Sequence, residues 1–269
     1  MTYEEFWRPL TQVYEPGEAK AVAQFVFEKR CGLSMADILC GRTGDDAELR
    51  QLQRRLLQGE PVQYVIGLAE FGPFSFHVEP GVLIPRPETY ELCLWSIDSF
   101  TGGAVLDVGT GSGCIACTLA AVLPQAKVTA WDISEAALGV ARENAKRTNV
   151  HVSFEKVDVL NVPLERARWD IIVSNPPYIC ERERTAMERN VLDYEPAEAL
   201  FVPDDDPLLF YRAISDYALA SLNVGGQLFF EINPLYSEAL RQHLEAKGFC
   251  VEQRKDQFGK LRFTKATRL

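Results

Sequence analysis

The sequence predicts an α/β fold: a doubly wound, mostly parallel sheet over residues 88–269, preceded by a small helical bundle and a β-hairpin connector. Three observations predict it. From Ala104 onward, short apolar runs alternate with amphipathic helical stretches, the rhythm that builds parallel sheets through helical crossovers. Gly109-Thr110-Gly111-Ser112-Gly113 follows the first of those runs, at the carboxyl edge where open α/β sheets hold ligands. Finally, Val251-Glu252-Gln253 and Leu261-Arg262-Phe263 are two short strands with no helix between them, which predicts an antiparallel hairpin closing the sheet.

The elements follow in order along the chain. Residues 1–60 read as short helices. Thr2 with Glu5 matches a capping box. Pro16-Gly17 opens a second helix, with Val22, Phe25 and Val26 on its apolar face and Gly32 at its end. Ser34 caps a short third helix, and a fourth carries Leu49, Leu52 and Leu56 on one side before Gly59-Glu60-Pro61 stops it. Short helices with single apolar faces predict a bundle that packs and can grip a partner.

Residues 61–87 change character, becoming aromatic, β-branched and turn-rich. Phe71 to Val78 and Val82-Leu83-Ile84 read as strands of a connector, with His77 as a partly exposed strand residue. In residues 88–269 the strands are Val105–Val108, Val128–Trp131, Val152–Glu155, Ile171–Val173 and Gln227–Ile232. Helices are predicted from Ser112, from Ser134 to about Arg147, over roughly Leu208–Leu222, and over Ser237–Lys247.

Composition bounds the function. At 269 residues with a formal charge of −10, the chain has room for a large domain plus a small one. That charge disfavours stable nucleic-acid binding, which needs clustered Lys and Arg; Arg182, Arg184 and Arg189 leave a local basic patch open, a solvated helix face being the commoner meaning of such charges. No apolar run reaches the roughly 20 residues that cross a bilayer, and no signal-peptide pattern appears, so a soluble cytoplasmic protein is expected. The seven cysteines are scattered and odd in number, which predicts reduced thiols. Cys114 and Cys117 have C-x-x-C spacing, but no second pair or neighbouring His completes a metal site. They read as small core residues, and no metal is expected.

The chemistry is carried by Asn175-Pro176-Pro177-Tyr178, which follows the apolar run ending at Ser174. The prolines have no N–H to give and hold the chain extended, leaving their carbonyls free. Asn175 adds a side-chain oxygen and Tyr178 a flat face. This set of acceptors suits an NH2 on a flat π system, whose lone pair must be localised before it can attack a methyl group. The bland reading is a strand that stops at a Pro-Pro turn.

For a cofactor, the glycines of the Gly109–Gly113 loop let a ligand approach the main chain. Asp132 ends the next strand, placed to accept bonds from ribose hydroxyls, and Asp158 with Val159 can meet a purine edge and face. The glycine loop alone fits nicotinamide dinucleotides as well as adenosyl sulfonium donors. The Asn-Pro-Pro-Tyr stretch favours the latter, as do the negative charges of Asp107, Asp132 and Asp158. Asp107 is divided between ligand contact and a structural role bonding nearby main chain.

Ile84-Pro85-Arg86-Pro87-Glu88-Thr89, Leu106 to Gly113 and Asn175 to Ile179 together resemble the PrmC/HemK family, the protein-(glutamine-N5) methyltransferases of class-1 peptide chain release factors. The resemblance extends through Tyr194-Glu195-Pro196, Phe230-Glu231-Ile232 and Asp256 to Phe263, and so covers nearly the whole chain. It implies a Rossmann-like class I S-adenosylmethionine-dependent methyltransferase. In it, Gly109, Thr110, Gly111, Ser112, Gly113, Asp132, Asp158, Val159 and Asn175 would surround S-adenosyl-L-methionine. Asn175, Pro176, Pro177 and Tyr178 would hold the glutamine amide of a Gly-Gly-Gln tip, and the N-terminal helices would dock the release factor.

Three positions depart from the pattern: Tyr90 where Glu is usual, Asn233-Pro234 where Gly is common, and Asp204-Asp205-Asp206-Pro207 where Asp-Gly-Leu is common. The alternative readings are glutamine methylation of a ribosomal protein, amino methylation of DNA or RNA bases, a non-catalytic adenosine-cofactor module, and a nicotinamide oxidoreductase.

Overall fold

Thr2 caps the first helix, α1 (Tyr3–Leu10), in a reciprocal capping box with Glu5. Pro16 opens α2 (Pro16–Cys31) and Gly32 ends it in the left-handed region at φ 65°. Ser34 and Asp37 form a second capping box at α3 (Met35–Leu39), and Asp45 caps α4 (Asp46–Leu57). The core of these helices is Phe6, Leu10, Val22, Val26, Phe27, Leu49 and Leu56. Phe6 meets Phe27 edge to face with ring centroids 5.6 Å apart. Phe27 takes the core place that the sequence pattern gives to Phe25, which is half-buried.

A fifth helix, α5 (Val62–Ile66), lies in a stretch that reads as extended and turn-rich. It is secured by Arg55, which pairs with Glu60 and donates to the carbonyls of Val65 and Tyr64 at 2.9 and 3.2 Å.

The computed structural model describes residues 1–163 and 168–269. They form two compact units, Met1–Leu68 with Met187–Glu195, and Ala69–Ala186 with Pro196–Leu269. The first unit holds the five helices and α9, named below.

The second unit begins with the paired strands β1 (Leu68–Phe71) and β2 (Phe74–His77), then α6 (Pro87–Asp98). Val82–Ile84, expected as a strand, is instead a bend and irregular chain leading into α6. The alternation then runs β3 (Ala104–Val108), α7 (Cys114–Val122), β4 (Lys127–Asp132), α8 (Glu135–Arg147), β5 (Ser153–Lys156) and β6 (Trp169–Ser174). Short pieces follow: β7 (Ile179–Cys180), α9 (Arg189–Tyr194) and β8 (Phe201–Val202). The chain ends with α10 (Leu209–Ser221), β9 (Leu222–Glu231), α11 (Ser237–Ala246), β10 (Phe249–Lys255) and β11 (Leu261–Arg268).

The sheet order is β10-β11-β9-β6-β3-β4-β5, parallel from β9 to β5, with β10 and β11 antiparallel at one edge as expected. Side chains alternate across it, because successive strand residues point to opposite faces. Val105, Val128, Ile171 and Phe229 pack with α6 and α7, while Leu106, Trp131, Ile172 and Phe230 pack with α10 and α11. Cys114 and Cys117 are buried in the first of these layers, as the small core residues the sequence predicts. His77 is half-buried at the end of β2. The fully buried Asn144 of α8 accepts from its backbone N–H at 2.6 Å and donates to its carbonyl and to that of Ser112, both at 2.8 Å.

Strand order reverses between β3 and β6. The chain steps outward from β3 to β4 to β5, then returns to the other side of β3. Crevices at the carboxyl ends of such strands are where open α/β sheets bind ligands. Both sequence motifs of interest emerge there, since Val108 lies opposite Ser174 and the Ser174 hydroxyl donates to the Val108 carbonyl at 2.7 Å.

Candidate active site

The turn after β3 is built by backbone. The amides of Gly109 and Thr110 both donate to the Trp131 carbonyl at 2.9 Å, and Gly111 donates to Asp132 Oδ2 at 2.8 Å. Gly113 sits at φ 80°, and a Cβ there would meet the Ala141 Cβ at 2.9 Å, so glycine is required for the close approach of α8. The Thr110 hydroxyl donates inward to Asp107 Oδ2 at 2.6 Å, and Ala116 N–H reaches the same oxygen at 3.1 Å.

Asp107 is completely buried, and burial pushes its pKa up to about 7 against the pull of those two bonds. Its second oxygen has no partner among the described residues. Of the two roles open to it, the structure shows the structural one, bracing the glycine turn from beneath.

A cavity of about 270 Å³ opens above this turn. Gly109, Gly111, Asp132, Asp158, Val159, Asn175, Pro176 and Pro177 line it. Thr110, Ser112 and Gly113 do not; they are buried or turned under the loop and shape it from below. Asp132 gives one oxygen to Gly111 and the other to Ser134 N–H at 2.9 Å. Each carboxylate oxygen has a second lone pair, so both can accept again from a ligand. Burial raises the Asp132 pKa, and the charge of Glu198 adds to the rise.

The charged side chains among the described lining residues are Asp132, Asp158 and Glu198, all negative. The apolar lining includes Trp131, Ile133, Val159, Leu160 and Phe210. A cation carrying a flat heterocycle and a diol suits this set. A pyrophosphate does not, because it would meet three carboxylates with no Lys or Arg among the described lining residues.

Tyr178 does not line the cavity. It is half-buried, its hydroxyl donates to Glu231 Oε1 at 3.0 Å, and its carbonyl accepts from Asn233 Nδ2 at 3.1 Å. Glu231 is 2% exposed and takes a second hydroxyl, that of Thr89, on Oε2 at 2.6 Å. Asn175 Nδ2 in turn donates to Thr89 Oγ1 at 3.1 Å. Burial raises the Glu231 pKa, opposed by the Thr89 and Tyr178 bonds and by the charge of Arg262. The same burial, reinforced by the Glu231 charge, raises the Tyr178 phenol far above its ordinary value.

Sequence reasoning assigned no role to Thr89, Glu231 or Glu198. A signal existed for one of them: Glu231 is a carboxylate inside the apolar run Leu228-Phe229-Phe230-Glu231-Ile232, where an acid survives only with partners. Tyr90, the first departure from the family pattern, packs edge to face on Phe71 at 5.3 Å and covers Gly72 in the hairpin turn.

A family model described as "methyltransferase small domain" matches residues 89–194. A release factor glutamine methyltransferase of Bacteroides thetaiotaomicron is 45% identical, over 96% of this chain and 96% of that protein. One from Flavobacterium psychrophilum is 38% identical over 97% and 96%. Among solved structures, a ribosomal protein L11 methylase from Lactobacillus delbrueckii subsp. bulgaricus aligns with TM-score 0.51 at 22% identity, covering 71% of this chain and 83% of that one. A methyltransferase from Pyrococcus furiosus aligns with TM-score 0.50 at 21% identity, covering 81% and 97%. At those identities the two structures show the fold alone, which is the Rossmann-like class I methyltransferase fold.

Proposed function

The chain belongs to the release factor glutamine methyltransferase family, and from that premise we propose that it methylates the side-chain amide nitrogen of the Gly-Gly-Gln glutamine in class-1 peptide chain release factors. The donor is S-adenosyl-L-methionine, and the setting is cytoplasmic translation termination. The observation that carries the reading is that Asn175, Pro176 and Pro177 line the same carboxylate-rim cavity as Gly109, Gly111 and Asp132. When bound, the donor supplies a methyl group on a positively charged sulfur.

The chain's own residues supply the rest. Gly109 and Gly111 give close backbone approach, Asp132 accepts from ribose hydroxyls, and Asp158 and Val159 take the purine. Asn175 Oδ1 and the Pro176 carbonyl accept the two hydrogens of the glutamine NH2. Those bonds strengthen as the nitrogen gains positive charge, so they favour the transition state over the ground state. Pro177 keeps the acceptor strand extended, and Tyr178, held by Glu231 and packed on the core outside the cavity lining, braces the stretch that presents Asn175 and Pro176. Orienting both partners contributes about 7–11 kcal/mol to such a transfer. The proton leaves to water once methylation has made the nitrogen acidic. Residues 1–60 dock the release factor.

Methyl transfer from labelled donor to a purified class-1 release factor tests this. The factor with its Gly-Gly-Gln glutamine changed to alanine, ribosomal protein and DNA serve as parallel acceptors. Label should appear on the intact factor and vanish with the alanine variant. Asn175→Ala should lower turnover by about 100-fold or more while donor affinity changes by less than about threefold. Label confined to DNA or ribosomal protein would refute the choice of acceptor, and equal losses in turnover and affinity would refute the role of Asn175.

A further inference from the structure

An acceptor at Asn175 works only if the correct end of its amide faces the substrate. The two ends have nearly the same shape and opposite hydrogen-bonding character, so sterics alone do not choose between them. We propose that Thr89 and Glu231 are positioning residues that make this choice, holding Asn175 Nδ2 inward and leaving Oδ1 for the substrate NH2. This rests on the role given to Asn175 above.

The chain of bonds has one consistent direction. Glu231, as a carboxylate, only accepts, and it takes one hydroxyl on each oxygen: Tyr178 on Oε1 at 3.0 Å and Thr89 on Oε2 at 2.6 Å. A hydroxyl has a single hydrogen. Thr89 commits its hydrogen to Glu231, so toward Asn175, 3.1 Å away, it offers only lone pairs. The atom of Asn175 that faces Thr89 must therefore be the nitrogen. That bond is the amide's sole hydrogen bond among the described residues, so nothing else sets its rotation.

Burial makes the arrangement durable. Thr89 is 3% exposed and Glu231 2%, so water does not compete for either hydroxyl–carboxylate bond. Glu231 is further held from the backbone side, where the Tyr211 hydroxyl donates to its carbonyl at 3.0 Å. Rotating the Asn175 amide by half a turn would set its NH2 against the substrate NH2, donor against donor, and remove the acceptor that the transition state needs.

Thr89→Val keeps the shape and deletes the hydroxyl, whereas Thr89→Ser keeps the hydroxyl. Single-turnover methyl transfer at saturating donor and release factor should fall about 10-fold or more in Thr89→Val, with donor Kd within about twofold, and stay within about threefold of wild type in Thr89→Ser. A second readout needs no turnover. The Asn175 side-chain NH2 resonance, assigned by its loss in Asn175→Asp, should be protected from exchange in wild type and Thr89→Ser and unprotected in Thr89→Val.

A wild-type rate in Thr89→Val, or equal losses in the serine and valine variants, overturns the inference. So does an unprotected Asn175 amide in the wild-type protein, which decides the matter even if Thr89→Val does not fold. Protection as described, with no label on any release factor, would overturn the acceptor assignment and leave the positioning role standing.

Discussion

Replacing Asp107 by asparagine should remove a pH-dependent loss of stability from this protein. The side chain is 0% exposed, and its pKa is raised to about 7 from the 3.8 of an exposed aspartate. Desolvation is the largest cause, and the bonds from Thr110 and Ala116 offset only part of it. A raised folded-state pKa means that the folded protein binds this proton more tightly than the unfolded chain does. Stability therefore falls as pH rises from about 4 through about 7, and is restored on acidification over the same window. At 1.36 kcal/mol per pH unit the full contribution is on the order of 4 kcal/mol, and about two thirds of it falls between pH 5 and pH 8.

Asp132 and Glu231 are raised as well and act with the same sign. The informative quantity is thus the difference between wild type and Asp107→Asn. Urea unfolding at pH 5, 6, 7 and 8 measures it. The variant should gain on the wild type by about 2–3 kcal/mol as pH goes from 5 to 8. Parallel stability curves for the two proteins would refute the reasoning, and would mean that water or a neighbouring cation solvates the carboxylate in the folded state.

Two further outcomes are expected. Asp132→Ala should weaken S-adenosyl-L-methionine binding by about 10- to 100-fold in calorimetric titration, because two charge-assisted acceptors are lost, while the rate at saturating donor changes little; unaltered affinity would remove Asp132 from the site. Gly113→Ala combines a left-handed backbone at φ 80° with a Cβ 2.9 Å from that of Ala141. It should cost about 1–3 kcal/mol in urea unfolding, and an unchanged midpoint would show that α8 can shift to admit a methyl group.

Periodicity and local chemistry determined much of this protein in advance. The alternation of apolar runs with amphipathic helices specifies a parallel sheet wherever it occurs, because each element buries a face of known spacing. Gly109 to Gly113 and Asn175-Pro176-Pro177 were legible for the same reason, since a glycine turn or a Pro-Pro stop at a strand end is decided by residues beside it. What only the tertiary structure decided is long-range. Thr89 and Glu231 are 142 positions apart, and their meeting depends on where α6 crosses β9. Val82–Ile84 has strand composition yet belongs to no strand, and the Val82 amide closes a turn on the Glu79 carbonyl at 3.3 Å. Asp107 and Asp132 look alike at the carboxyl half of neighbouring strands, but the first points into the layer under α7 and the second over the cavity. Asp107 lies beside Ala130, so Asp132 stands on the same face two positions farther along, beyond the layer covered by α7 and at the carboxyl edge where the cavity opens.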